Sequence, residues 1–350
     1  MIEAIVLAGG FGTRLRPITF SLHKLMVRLL GKPLVAHILD NLPKETDRVI
    51  LAVHYLADQI REYVNSREDP WEYVVVKEEK PLGTGGAVKN LERYVGSDQF
   101  LVFNGDVIFS LCPEKLLNYN SEKGAIGSIA VYEVEDPTSY GVVVFDEENR
   151  IKEFIEKPKE FLGRSYINAG VYALKKEVFD YIPAGREVSI EREVFPKLIE
   201  KGLYAFPFQG YWCDCGTPGR LLHAKDILLK WKGMENYVGE GAKVKGKLIS
   251  SDVERECIVE EGAVIENSIL MDGVYVGKGA VIKRSVLGPG VRVPSGAYLD
   301  GCTIEGGVEL EGKVRLINSK VKRRDRNGEA VWYKWDKRSS ERGFESGVRA

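Results

Sequence analysis

The amino-acid sequence predicts two architectures in succession, an α/β domain on a mainly parallel sheet and then a parallel β-helix. Three observations carry this. Short β-rich apolar runs alternate with helical patterns from Met1 to about Trp231, a Gly-rich turn closes the first run, and a regular repeat takes over after Tyr237.

Taken in order, strands are expected over Ile2 to Leu7, Val49 to Val53, Tyr73 to Val76 and Phe100 to Phe103. Helices are expected over Pro33 to Leu42, Leu56 to Asn65 and Gly85 to Tyr94, with Pro33 at a first helical position. Such alternation predicts ligands at the strands' carboxyl ends. The next stretch is richer in strands, at Ile126 to Val134, Gly141 to Phe145, Ile151 to Ile155 and Tyr166 to Leu174, and reads as a mixed sheet facing substrate. Helices through Ile190 to Lys201 and Pro218 to Lys232 complete the first domain, 1–232.

From there Val259, Val276 and Val293 recur at intervals of 17, as do Gly262, Gly279 and Gly296, and Ile265, Ile282 and Leu299. Within a turn the apolar positions fall every sixth residue, as in Val259, Ile265 and Met271. Such hexads imply flat β-helix turns, each burying its aliphatic ladder on the next, over 237–318. The remainder, 319–350, is a basic and aromatic tail containing Lys322, Arg323, Arg324, Arg326, Trp332, Tyr333 and Trp335. It is expected to lay its aromatics on the β-helix rather than on nucleic acid, with its last residues disordered.

With 50 basic and 51 acidic residues the net charge is -1, so neither a polyanion nor a membrane surface is expected as a bulk partner. There is no apolar run of transmembrane length, and a strand that starts at Ile2 leaves no room for a secretion signal, so a cytoplasmic protein is expected. The 5 cysteines lack zinc-ribbon or disulfide-framework spacing and read as reduced thiols, Cys213 and Cys215 as strand packing.

The chemistry begins at Leu7 to Pro17, LAGGFGTRLRP. Gly9, Gly10 and Gly12 permit positive φ and close approach to a ligand, so that amide N–H groups converge on an anionic oxygen, and Arg14 and Arg16 add fixed charge. A dinucleotide fingerprint fails because Leu15 stands where its third glycine belongs, and a P-loop fails because Pro33 follows Gly31-Lys32. Asp106, in FNGDV, and Asp214, in GYWCDCGTP, are candidate carboxylates for a divalent cation. Either alone reads equally well as a turn-forming Asp.

LAGGFGTRLRP, Lys24 and the Gly31-Lys32-Pro33 triplet resemble the opening of the sugar-1-phosphate nucleotidylyltransferases. The resemblance implies a Rossmann-like sheet of the nucleotide-diphospho-sugar transferase type and a left-handed β-helix. It implies Leu7, Ala8, Gly9, Gly10, Gly12, Thr13 and Gly105 as nucleotide-binding residues, and Arg14, Lys24, Asp106 and Asp214 as catalytic, the two aspartates holding Mg²⁺. His23 and Leu25 replace the family's prolines around Lys24, and His23 is expected to be a solvated loop residue. A second Gly-rich turn, PLGTGGA from Pro81 to Ala87, resembles the family's base and ribose pocket. Its N–H groups suit an anion or a purine edge, and Gly83 and Thr84 would line it. Glu78 or Glu79 would read the base, with Glu78 preferred, because a carboxylate can accept from both N–H donors of guanine. The sugar phosphate would rest on Glu156 and Lys157 of EKP, Asn168 and Gly170 of NAG, and Gly141.

Ser189-Ile190-Glu191 with Phe195-Pro196 resembles the mannose-1-phosphate guanylyltransferase branch, which implies GTP and mannose 1-phosphate as substrates. A glucose-1-phosphate uridylyl- or thymidylyltransferase is the alternative within the family. A catalytically silent subunit that binds sugar nucleotides is the alternative outside it. The histidines, His23, His37, His54 and His223, all lie outside 237–318, so no acyltransferase base is available there. The β-helix is therefore expected to be structural, as a surface for homo-oligomer assembly.

Overall fold

The computed structural model describes residues 1–158, 160, 163–323 and 331–334. The chain divides into two compact units, Met1–Phe11 with Val35–Trp212, and Gly12–Leu34 with Cys213 onward.

The first unit is built on one nine-stranded sheet. Its order is Ile151–Glu156, Gly141–Phe145, Ser165–Lys175, Gln99–Asn104, Ile2–Ala8, Thr46–Val53 and Glu72–Lys77, with Gly127–Val134 also on Ser165–Lys175 and Leu203–Pro207 beside Gly127–Val134. Ile2–Ala8 runs parallel to both neighbours, setting Val6 opposite Leu51 and Phe103. Ala4, Ile5 and Val6 are fully buried, as a parallel strand covered on both faces requires. Ser165–Lys175 then joins the sheet antiparallel, so the mixed and parallel parts form one surface. Its register against Gly127–Val134 slips between Asn168 and Tyr172, which lifts Asn168-Ala169-Gly170 out of the regular ladder.

Helices cover the sheet where the sequence has one apolar face. Ala57–Asn65 buries Ala57, Ile60 and Val64. Two expected helices are divided differently. Gly83–Asn90 is followed by a separate 3₁₀ turn at Glu92–Tyr94, and 190–201 passes from a π turn, Ile190–Val194, through Phe195–Leu198 to a 3₁₀ turn, Ile199–Lys201. Pro33 is not helical: it pairs with Arg28 in a small hairpin, and the helix starts at Leu34.

In the second unit, strands from Tyr237–Val238 to Ser319–Lys322 stack in three parallel sheets, the left-handed β-helix of hexapeptide repeats. Val253, Leu270, Leu287, Ile304 and Val321 lie one above another at the 17-residue interval and are wholly buried. One corner puts Ser250, Asn267, Arg284, Gly301 and Asn318 at φ between 44° and 66°, a left-handed conformation that only glycine adopts without strain. Inside this corner each Ser hydroxyl accepts from the next coil's backbone: Ser268 N to Ser251 Oγ, Ser285 N to Ser268 Oγ and Cys302 N to Ser285 Oγ. In the tail, the backbone of Val331–Lys334 pairs antiparallel with Ser319–Lys322, adding a strand to the last coil. Trp335 and the expected disorder of the final residues lie outside the described residues.

The first coils also grip the hairpin at 28–33. Arg28 Nε lies 2.9 Å from Glu254 Oε2 and 3.2 Å from Asp272 Oδ1, Leu30 N donates to Asp252 Oδ2, and Gly31 N donates to Glu254 Oε1. Burial pushes Asp252 and Glu254 upward in pKa, and Arg28 pulls both back. Among the described residues no helix is long and apolar enough to cross a membrane.

Candidate active site

In the first unit Gly9, Glu78 and Gly105 follow directly on the parallel strands Ile2–Ala8, Glu72–Lys77 and Gln99–Asn104. Gly105 N donates to Leu7 O at 3.0 Å, tying the turn that carries Asp106 to the end of the first strand. Asp106 itself is half-buried. Of the two carboxylates offered for base reading, Glu79 is exposed whereas Glu78 is 3% exposed. Glu78 packs so tightly on Gly9 that a Cβ there would stand 2.6 Å from Glu78 Oε2, while Glu78 Oε1 is buried with no hydrogen-bond partner among the described residues. Burial raises the Glu78 carboxyl to about 7, against a smaller opposing pull from His54.

The glycines of the first loop thus have separate reasons. Gly9 makes room for Glu78, and Gly12, in the second unit, has φ +61° and packs on Thr19 and Lys24. Gly10 is exposed and faces open space, and neither Gly9 nor Gly10 has positive φ.

The second glycine turn departs from its expected use. Gly85 N and Gly86 N donate to Val188 O at 2.8 and 3.3 Å, and Val188 N donates to Leu82 O. Cβ atoms on Gly85 and Gly86 would lie 3.1 Å from Ile190 N and 2.7 Å from Arg186 O. Those two glycines therefore admit the segment before Glu191, and their N–H groups are engaged by protein rather than offered to an anion. Thr84 is engaged as well, donating to Glu191 Oε2 at 2.7 Å and accepting from Ile190 N.

Beside it a cavity of about 200 Å³ is lined by Gly141, Phe154, Asn168, Glu191, Arg192 and Pro196. The ladder slip aims Asn168 here: its Oδ1 accepts from Gly170 N and its Nδ2 donates to the hydroxyl of the fully buried Tyr172. Gly170, at φ +72°, is compelled by Asn104, whose Nδ2 would meet a Cβ at 2.7 Å. Burial, and then the charge of Glu191, keep the Tyr172 hydroxyl protonated. Lys157 sits at φ +46°, a strained conformation for a residue with a side chain, and its N donates to Tyr140 O. Glu156 pairs through its backbone with Gly141. Trp212 Nε1 donates to Ala169 O and edges the Tyr140 ring, supporting both segments from behind. A larger hollow of about 780 Å³, lined by Asp98, Gln99, Lys176 and Asp180 among others, lies where the strand Gln99–Asn104 starts, away from all of these motifs.

In the second unit Arg14 and Asp214 meet. A Cβ on Gly216 would stand 2.6 Å from both Arg14 Nη2 and Asp214 Oδ1. Asp214 Oδ1 accepts from Gly216 N and its Oδ2 from Arg220 Nη1, on the helix Pro218–Trp231. Thr13 and Arg14 are exposed. Lys24 begins a 3₁₀ turn capped by His23, whose Nδ1 accepts from Leu25 N at 3.1 Å. The expectation of a solvated His23 is overturned, since this side chain is 1% exposed. Its φ of -58° is one a proline would hold, and its ring supplies the cap in place of the ring closure.

Sequence reasoning missed Arg220, Tyr172, Asn104 and Arg192. Asn104 stands with Asp106 in FNGDV, a signal that could have found it; the other three stand in no glycine motif, and only folding brings Tyr172 to Asn168, Arg192 to the cavity wall and Arg220 to Asp214. No group of three or more His, Cys, Asp or Glu among the described residues could cage a metal ion. Isolated carboxylates fit Mg²⁺, which takes one or two protein carboxylates and completes its shell with water and phosphate oxygen.

A mixed sheet with carboxylates, glycine turns and basic groups at its strand ends, followed by a hexapeptide β-helix, defines an enzyme of nucleotidyl transfer. The chain belongs to the nucleotidyl transferase family, whose model matches residues 3–230, and a GlmU-like C-terminal hexapeptide model matches residues 234–326. It is similar to mannose-1-phosphate guanylyltransferase of Mycobacterium tuberculosis, 35% identical over 79% of this chain and 81% of the relative. It is equally similar to mannose-1-phosphate guanylyltransferase 1 of Arabidopsis thaliana, 35% identical over 79% and 83%. Among solved structures, HddC from Yersinia pseudotuberculosis complexed with GMP-PN matches at TM-score 0.55 and 31% identity, covering 65% of this chain and 100% of that one.

Proposed function

We propose that this nucleotidyltransferase moves GMP from GTP to mannose 1-phosphate and releases pyrophosphate. The observation that carries the guanine reading is Glu78, a buried carboxylate with an unpartnered oxygen against Gly9. Its two oxygens match the paired N–H donors of guanine, and adenine lacks such a pair. The names of the mannose-1-phosphate guanylyltransferases and the GMP-PN complex of HddC support the same choice.

In this reading Leu7, Ala8, Gly9, Gly10, Gly12, Thr13, Gly83, Thr84 and Gly105 form the nucleotide's surroundings. Arg14 and Lys24 hold the phosphates and stabilise charge on the departing pyrophosphate. Asp106 and Asp214 would hold Mg²⁺, which when bound supplies charge neutralisation on the phosphates. Lys157, Glu156, Asn168, Gly141 and Gly170 orient the sugar phosphate, one of whose oxygens attacks the α-phosphorus in line. No protein nucleophile takes part. All five cysteines are free, which supports a cytoplasmic setting, and the stacked coils of 237–318 are the surface we assign to homo-oligomer assembly.

Purified protein assayed with four nucleoside triphosphates against mannose, glucose and N-acetylglucosamine 1-phosphates is expected to release most pyrophosphate from GTP with mannose 1-phosphate. Asp106→Asn is expected to abolish turnover with the fold intact by circular dichroism. Full turnover in that variant ends the assignment of Asp106. No turnover with any pair ends the enzymatic reading in favour of a silent subunit.

A further inference from the structure

Glu191 belongs to none of the catalytic motifs, yet three parts of the first unit meet on it. Its Oε2 accepts from Thr84 Oγ1 at 2.7 Å and from Ser189 Oγ at 2.8 Å. Among the described residues its Oε1 has only a long contact, 3.4 Å, from the hydroxyl of Tyr172, and Tyr172 in turn accepts from Asn168. One oxygen is thus anchored by two donors and the other is left with accepting capacity, on a residue that lines the 200 Å³ cavity. The carboxylate sits in a π turn, a local widening of the helix that is frequent at functional sites. Ser189 Oγ holds that turn by also accepting from Arg192 N. Around the cavity Phe154 and Pro196 offer apolar faces, and Gly141 leaves room for a ring.

We propose that Glu191 determines sugar specificity, its Oε1 accepting a hydrogen bond from one ring hydroxyl of a hexose 1-phosphate seated between Phe154, Pro196 and Asn168. The proposal rests on the sugar-phosphate reading above and deepens it. A carboxylate fixed on one side by Thr84 and Ser189 cannot follow a misplaced hydroxyl. An epimer that moves the donor out of reach leaves Oε1 without that hydrogen bond, and this discriminates more strongly than a change in apolar contact. Because Thr84 lies at the start of Gly83–Asn90, the same anchor couples the position of the nucleotide turn to that of the sugar.

The test uses the full chain with its best substrate pair, comparing the parent sugar 1-phosphate with its singly deoxygenated analogues in wild type and Glu191→Gln. In wild type one analogue should lose about 10-fold to 100-fold in kcat/KM. In Glu191→Gln the parent should fall by a similar factor, mainly through a raised KM for the sugar phosphate, while that same analogue loses little more. Such non-additivity is the mark of direct contact, and a purely structural role would lower all sugars together. Glu191→Asp, which keeps the charge but shortens the reach, should recover part of the epimer selectivity. Equal losses for every analogue in both proteins, with unchanged selectivity, would overturn the proposal while leaving the nucleotidyl transfer reading in place. An inactive wild type would instead overturn that reading. Thermal unfolding of each variant shows whether a uniform loss comes from misfolding, in which case titration of the analogues onto wild type by calorimetry decides the same question.

Discussion

Glu78 concentrates on one side chain the conflict between folding and binding. Its carboxyl is raised by burial to about 7, whereas in the unfolded chain it titrates near 4.5. Between those values the folded protein holds a proton that the unfolded chain has released, so stability is full below the lower value and declines as pH rises to about 7. Glu78→Gln should therefore raise the Tm at pH 8 and leave it unchanged at pH 4, as calorimetry at the two pH values would show. The guanine reading needs the ionised form, so the KM for GTP should fall as pH rises through about 7, and the variant should show a flat, weaker profile. Gly216 makes a second case. An alanine methyl would meet both Arg14 and Asp214 at 2.6 Å, and displacing the guanidinium by about 1 Å should cut kcat by about 100-fold. A Gly216→Ala protein with normal kcat would mean that Arg14 is not held by this contact. The resemblance already preferred Glu78 for reading the base, but nothing in sequence announces its burial or the role of Gly216. Glu78 and Glu79 are neighbours, and only the burial of one against Gly9 separates them.

Among elements, the glycine turn at 83–86 was legible as special, but the packing reason for its glycines was not. Its glycines admit the backbone of Arg186–Ile190, a partner more than 100 residues away that no local pattern could indicate. Gly86→Ala should cost about 1–3 kcal/mol by denaturant unfolding, because the obstructing atom is a backbone carbonyl that cannot swing aside. The helix expected over 190–201 illustrates a related limit. Ile190, Val194 and Leu198 are buried as an amphipathic pattern predicts, yet the turns between them change from π to α to 3₁₀. Periodicity reports which face is buried, and anchors such as Ser189 with Glu191 decide the pitch. In the hairpin at 28–33, Arg28 faces a Glu254 side chain of 0% exposure. Arg28→Met should destabilise by about 3–5 kcal/mol in chemical unfolding, since it strands the buried Glu254 without its countercharge.

On the scale of the whole molecule, the second unit combines 12–34 with the β-helix rather than following the linear order of the chain. Lys225, fully buried on the helix Pro218–Trp231, donates to Ser250 O, Asn267 Oδ1 and Asp226, and so joins that helix to the β-helix corner. Truncation after residue 232 should therefore do more than remove an assembly surface: it leaves Arg28, Leu30, Gly31 and Lys225 without their partners in the β-helix. We expect a lowered Tm and at least about a 10-fold loss of turnover, judged against the full chain. A truncated protein equal to the full chain in both would show the β-helix to be dispensable to catalysis. Light scattering on the full chain tests assembly directly, a monomer mass contradicting it.

By itself the sequence determined the alternation of strands and helices, the 17-residue coil and the glycine, lysine and aspartate motifs. Each of these is written in local spacing, because backbone geometry imposes a period on side chains wherever one face is buried. Tertiary structure alone decided which glutamate is buried, that His23 caps rather than faces water, and that Glu191, Tyr172 and Arg220 join the candidate groups. Those outcomes depend on long-range contacts, and burial or an anchored carboxylate exists only once distant segments have closed on one another.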